Sequence, residues 1–226
     1  IICTLGPASN NRETLKALME NGMDIARFNF SHGSHEEHKG RMDLVKKVRE
    51  KLNKPVALLL DTKGPEIRTG NFDQPEVLLE EGQKFTITMK DVIGTKEICT
   101  VSYKGLANDV VAGDTILIDD GLVGLRVEEV NGDDILCIVE NSGIVKNHKG
   151  VNVPGVKINL PALTDKDISD IEFGISQGID FIAASFVRKV SDVLAIREVL
   201  ERNNATDIQI ISKIENQEGV DNLDDI

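Results

Sequence analysis

Apolar runs of strand length alternate with helical runs at both ends of this chain, and the alternation stops between them. That interruption constrains the fold most. Ile1 to Thr4 reads as a strand, NNRETLKALMENG as a helix and MDIARFN as a second strand. SHEEHKGRMDLVKKVREKLN is a second helix, in which Ser34 followed by Glu37 has the spacing of a capping box. KPVALLLDT is a third strand, apolar throughout, as a parallel strand covered on both faces should be. After Arg68 only strand-like runs follow, separated by the turn signals EG, DDG and NGDD, and no helix of any length is expected before Leu163. KGVNVPGVKINLP, punctuated by glycine and proline, reads as a return linker. Helix, strand, helix and strand then resume through LTDKDISDIEFGISQG, IDFIAASF, SDVLAIREVLERNN and DIQIISKI.

This pattern predicts an α/β protein: a partial (β/α)8 barrel of about five of its eight strands, with a small β-barrel domain inserted. The expected boundaries are 1–68 for the first part of the barrel, 69–153 for the insert and 154–226 for the second part. A doubly wound sheet is the competing arrangement, since five βα units do not by themselves require closure. The strand at Ile1 and the helical pattern running to Ile226, with Val220, Leu223 and Ile226 on one face, lead to the expectation of a piece of a longer protein.

The distribution of charge favours the barrel. In a βα barrel the chemistry lies at the C-terminal ends of the strands. Strand two ends in ARFNFSHG, bringing Arg27, Asn29, Ser31 and His32. Strand three ends in DTKGPEIR, bringing Asp61, Thr62, Lys63, Glu66 and Arg68, and the last strand ends in SKIEN, bringing Lys213 and Glu215. Side chains alternate along a strand, so Lys213 and Glu215 project to the same side. They are compatible with a structural ion pair. With Arg27, Asp61 and Arg68 at the same edge, they also suit phosphoryl chemistry, Glu215 as a ligand of a hard cation such as Mg²⁺ and Lys213 facing a phosphoryl oxygen.

Arg27 and Arg68 are surface ion-pair residues or bidentate binders of phosphate or carboxylate. Asn29, Ser31, Asp61 and Thr62 supply oxygens that suit a weakly charged cation, or act as caps and turn residues. His32 is a turn histidine or a nucleoside contact, and His35, His38 and His148 read as exposed.

Composition excludes several classes. The 26 basic against 38 acidic residues give a net charge of −12, which with no Lys/Arg-rich block argues against a nucleic-acid surface. Cys3, Cys99 and Cys137 are odd in number, widely spaced and set in apolar runs, so they read as reduced core thiols. No apolar run reaches membrane-spanning length and none follows a charged start as in a signal peptide; a soluble, cytoplasmic protein is expected.

The runs TLGPAS, ARFNFSHG, DTKGPEIRTG, KGVNVPG, LPALTDKD, ASFVR and SKIENQEG, in this order and spacing, resemble the pyruvate kinase family in its bacterial form, over essentially the whole chain. The resemblance implies an N-terminal fragment of an enzyme that transfers a phosphoryl group from phosphoenolpyruvate to ADP, giving pyruvate and ATP in glycolysis. It implies Mg²⁺ (or Mn²⁺) and K⁺ as cofactors and a homotetrameric parent. Carried over by motif, Lys213 stabilises the phosphoryl group in flight, Arg27 contacts the substrate phosphate and Glu215 binds Mg²⁺. Asn29, Ser31, Asp61 and Thr62 form the K⁺ site, and His32, Arg68 and Lys149 contact the nucleotide. Glu66 occupies the position that accompanies K⁺ dependence. The insert becomes a hinged lid over the barrel mouth. A second Mg²⁺ carboxylate, the threonine associated with enolate protonation and the last three barrel strands lie beyond the motifs present, so the fragment alone is expected to be inactive. The competing readings are a catalytically incompetent chain that binds phosphate ligands or a partner, and a Mg²⁺-dependent lyase of a related barrel.

Overall fold

The computed structural model describes residues 1–226, which divide into two compact units. The first comprises residues 1–65, 161–215 and 219–226; the second comprises 66–160 together with 216–218.

The first unit begins with β1 (Ile2–Thr4) and α1 (Arg12–Glu20). Asn11 caps α1 by accepting from the Thr14 amide, and Leu15 and Met19, one turn apart, fill its buried face. Strand β2 (Ile25–Asn29) leads to α2 (His35–Leu52), opened by the Ser34–Glu37 capping box and closed by Asn53 in the left-handed region. Its buried face is His38, Met42, Val45 and Val48, so His38 lies in the core rather than exposed. His35 is half-buried, and His148 is exposed as expected. Strand β3 (Ala57–Asp61) follows, with Leu58, Leu59, Leu60 and Asp61 all buried.

The second unit opens with β4 (Ile67–Arg68), then β5 (Val77–Leu79), β6 (Lys84–Thr88) and β7 (Ile98–Thr100). A one-turn helix, α3 (Leu106–Asp109), precedes β8 (Thr115–Ile118), β9 (Val123–Asn131), β10 (Asp134–Val139), β11 (Gly143–Val145) and β12 (Gly150–Asn152). Seven of these strands form one sheet in the order β4-β12-β8-β9-β10-β6-β7, and β5 pairs with β11. The core contains Phe85, Ile87, Ile116, Leu125, Ile135 and the thiols Cys99 and Cys137. The run expected to be a return linker is therefore partly a strand: Val151 alternates inward and is buried between β4 and β8. Glycine and proline around VNV masked a three-residue alternation.

The chain returns through α4 (Asp165–Ser176), β13 (Phe181–Ala184), α5 (Val190–Arg202), β14 (Gln209–Ser212) and the short α6 (Gln217–Asp221). The helical pattern expected to run to Ile226 stops at Asp221, and Val220 and Leu223 are exposed. The sheet of the first unit runs β1-β2-β3-β13-β14, and every pairing is parallel. Strand order follows chain order without a reversal. A doubly wound sheet requires such a reversal at its switch point, so the arrangement is that of a partial (β/α)8 barrel. Leu58, Leu60, Ala26, Phe28 and Ile182 join helix residues Met42, Val45, Ile171 and Ile196 in one core. No helix is long and apolar enough to cross a membrane.

Candidate active site

The C-terminal ends of β2, β3 and β14 converge on one buried carboxylate. Register sets Asn29 beside Asp61 and Asp61 beside Ala183, so the strand ends form a row across the sheet. Asp61 is only 2% exposed. Its Oδ2 accepts from Arg27 Nε at 2.6 Å and also from Arg27 Nη2, so two guanidinium N–H groups share one carboxylate oxygen. The remaining guanidinium nitrogen, Arg27 Nη1, donates to Thr4 Oγ1 at 2.6 Å. Lys213, the residue after β14, places Nζ 2.8 Å from Asp61 Oδ1 and 3.6 Å from Glu215 Oε1. The strand ends at Ser212, short of the end of the expected DIQIISKI run, so Lys213 and Glu215 meet from the segment that follows β14 rather than from the strand itself.

Backbone and hydroxyl groups complete the arrangement. Glu215 Oε2 accepts from the Phe186 amide at 2.9 Å, and Phe186 adopts a left-handed φ of 56° in the loop after β13. Ser185 Oγ lies 2.5 Å from the Thr62 carbonyl and 3.2 Å from Asp61 Oδ1, so its single proton serves the carbonyl first. Thr62 Oγ1 accepts from the Ser185 amide at 3.1 Å, and Asn29 Oδ1 accepts from the Ser31 amide at 3.0 Å. Two cations and two carboxylates thus offset one another, with amide and hydroxyl oxygens alongside. Nowhere do three His, Cys, Asp or Glu side chains converge. One carboxylate among neutral oxygens fits a monovalent cation. Glu215, a single part-exposed carboxylate held by the Phe186 amide, fits a Mg²⁺ ion that keeps most of its waters.

In the second unit Arg68 forms a fork on Glu66, Nε to Oε1 at 2.6 Å and Nη2 to Oε2 at 2.8 Å, while Nη1 donates to the His148 carbonyl at 2.7 Å. The bond to Glu66 raises the pKa of the Arg68 guanidinium. Lys149 Nζ pairs with Asp119 Oδ1 at 3.0 Å.

A sequence model of the pyruvate kinase barrel domain matches residues 1–226. The chain belongs to the pyruvate kinase family. It is 58% identical to a pyruvate kinase of Clostridium acetobutylicum over its whole length, covering 48% of that protein. It is likewise 58% identical to a pyruvate kinase of Bacillus licheniformis and 55% to one of Geobacillus stearothermophilus, covering 39% of each. The chain therefore spans less than half the length of these relatives.

Of the residues singled out in the sequence, the chain brings Arg27, Asp61, Thr62, Lys213 and Glu215 together, with Asn29 at the end of β2 and Ser31 in the loop after it. His32 is exposed on that loop. Glu66 and Arg68 were expected at the end of strand three, but the chain leaves the first unit at Pro65 and both belong to the second, as does Lys149. Sequence reasoning missed Ser185, although a small hydroxyl residue directly after a buried strand is a signal that can be read. It also missed Thr4, a strand-end residue masked by the apolar run before it.

Proposed function

We propose that the intact protein is a pyruvate kinase, transferring the phosphoryl group of phosphoenolpyruvate to ADP, with uptake of a proton by the enolate, to give pyruvate and ATP. The observation that carries this reading is the convergence of Lys213 and Arg27 on Asp61, with Glu215 3.6 Å from the lysine, at the C-terminal ends of parallel strands. In phosphoryl transfer, catalysis is positioning and charge neutralisation rather than covalent help from the protein. Asp61 supplies that positioning: it holds both cations at one point before any ligand arrives.

In this reading Lys213 neutralises the phosphoryl oxygens in transit and Arg27 binds the substrate phosphate. Glu215 holds Mg²⁺, and the oxygens of Asn29, Ser31, Asp61 and Thr62 hold K⁺. The bound cations supply positive charge to the phosphoryl oxygens. His32, Arg68 and Lys149 contact the nucleotide. Because the Arg68 fork faces Glu66, nucleotide binding draws on an exchange of its partners. The test is pyruvate formation from phosphoenolpyruvate and ADP with Mg²⁺, with and without K⁺, in the intact protein. The expected result is K⁺-stimulated turnover that Lys213→Met lowers by about a thousandfold or more. Full turnover in the folded Lys213→Met protein would overturn the assignment.

A further inference from the structure

Helix α4 contributes no residue to the site, yet it holds both of the loops that do. Its first two turns carry two carboxylates that are almost wholly buried, Asp167 at 0% and Asp170 at 2% exposure. Burying a carboxylate is costly unless its oxygens are fully engaged, so the partners these two have found are informative.

Asp167 closes the capping box of α4, its Oδ2 accepting from the Thr164 amide at 2.9 Å and the Thr164 hydroxyl at 2.6 Å. Capping requires no more. Its Oδ1 nevertheless accepts from the Gly64 amide at 3.0 Å, in the loop after β3. Gly64 sits at φ +72°, and a Cβ there would lie 2.8 Å from Ser185 Cβ, so only glycine fits this close approach of the two loops. Ser185 in turn holds the Thr62 carbonyl and amide-linked hydroxyl beside Asp61.

The other carboxylate reaches the loop after β2. Asp170 binds His35 Nε2 at 2.7 Å and Lys166 Nζ at 2.5 Å, and Lys166 Nζ also donates to the Phe30 carbonyl at 2.9 Å. The Phe30 amide donates to the Asp61 carbonyl at 2.9 Å, so this one residue joins the lysine of α4 to the end of β3. Its ring stacks on His38 at 4.0 Å, and His35 stacks on Phe173 of α4 at 4.3 Å. Asn29 and Ser31 flank Phe30, whereas Asp61 and Thr62 lie just before Gly64.

We infer that Lys166, Asp167 and Asp170 are positioning residues that fix the spacing between the Asn29–Ser31 oxygens and the Asp61–Thr62 oxygens, and thereby set monovalent-cation affinity. This rests on the K⁺ reading proposed above. Groups one layer behind metal ligands act on affinity by orienting them, and their loss costs about 10- to 100-fold in binding.

The experiment uses the intact protein with Lys166→Met, Lys166→Arg and Asp167→Asn. Lys166 is 49% exposed at its side chain and Asp170 keeps its bond to His35, so a folded protein is expected from its replacement, as the melting temperature checks. In Asp167→Asn the single amide oxygen cannot serve both Gly64 and Thr164. Expected are a rise of about tenfold in the K⁺ concentration for half-maximal rate in Lys166→Met and Asp167→Asn, with recovery in Lys166→Arg. An unchanged half-activating K⁺ concentration, with only kcat or the melting temperature altered, overturns the inference. Should the unaltered protein show no K⁺ activation, the K⁺ reading itself fails, and amide hydrogen exchange of residues 30–34 and 62–64 decides the rest. Exchange faster by about tenfold in both variants keeps the positioning role, and unchanged exchange removes it.

Discussion

Replacing Asp61 by asparagine tests the centre of the site without changing its shape. The carboxylate is 2% exposed, while the Arg27 and Lys213 side chains are 30% and 28% exposed. At an effective dielectric near 20, each close pair is worth about 4 kcal/mol of gross attraction, and desolvation of the carboxylate offsets a large part of the sum. Asparagine removes that desolvation cost but leaves two cations facing one amide oxygen and each other. Removing one partner of a buried pair costs about 3 to 5 kcal/mol, and the solvent still reaching both cations lowers this to about 2 to 3 kcal/mol. Lys213→Met alone leaves Asp61 held by Arg27 and costs about 1 kcal/mol. The double variant relieves the cation pair, so a mutant cycle has a coupling of about 1 to 2 kcal/mol. Urea titrations of the four proteins, followed by far-ultraviolet circular dichroism, measure all of these. A loss under about 0.5 kcal/mol for Asp61→Asn, or strict additivity in the cycle, would refute the view that Asp61 holds the two cations together.

Three further outcomes follow from buried groups elsewhere. Burial, aided by nearby Arg41 and only partly opposed by the bond to His32, lowers the pKa of His38 below the ordinary 6.5. Its Nε2 donates to the His32 carbonyl while Nδ1 has no partner, so a second proton has no acceptor. The stability tied to neutral His38 is complete above pH 6.5 and is lost as pH falls below it toward the folded-state value, by at most about 1.4 kcal/mol per pH unit. The deficit of His38→Gln relative to the unaltered protein, read from melting curves, should therefore shrink between pH 6.5 and 5. Gly64→Ala forces a left-handed backbone and a 2.8 Å approach to Ser185, and should destabilise by about 1 to 3 kcal/mol in urea titration. Cys99 and Cys137, pushed by burial to about 12, should react with a thiol reagent only after unfolding, whereas half-buried Cys3 reacts in the native state.

What could be read in the sequence is what the strand period dictates. The i, i+2 spacing of Lys213 and Glu215 puts both on one side of an extended run, and just beyond β14 they meet at 3.6 Å. The row of strand ends is likewise legible, because parallel register carries Asn29 next to Asp61. Beyond that row the chain is loop, and there the sequence misleads in particular ways. His38 falls at the spacing of Met42, Val45 and Val48, a pattern that marks a buried face, but its polarity argued for solvent; stacking on Phe30 and the bond to the His32 carbonyl make burial tolerable. Glu66 and Arg68 look continuous with Asp61 until Pro65 ends the first unit. Local rules announce the Thr164–Asp167 capping box but say nothing of its spare oxygen. That oxygen finds Gly64 103 residues away, a contact that only the assembled sheet, with β13 beside β3, brings about. The divide is thus between periodicity, which a chain carries in itself, and the satisfaction of buried polar atoms, which depends on which loops the fold brings near. The strand-end charges at Arg27 and Asp61 lie on the periodic side of that divide and could be read in advance; the buried carboxylates of α4 that engage the neighbouring loops lie on the other.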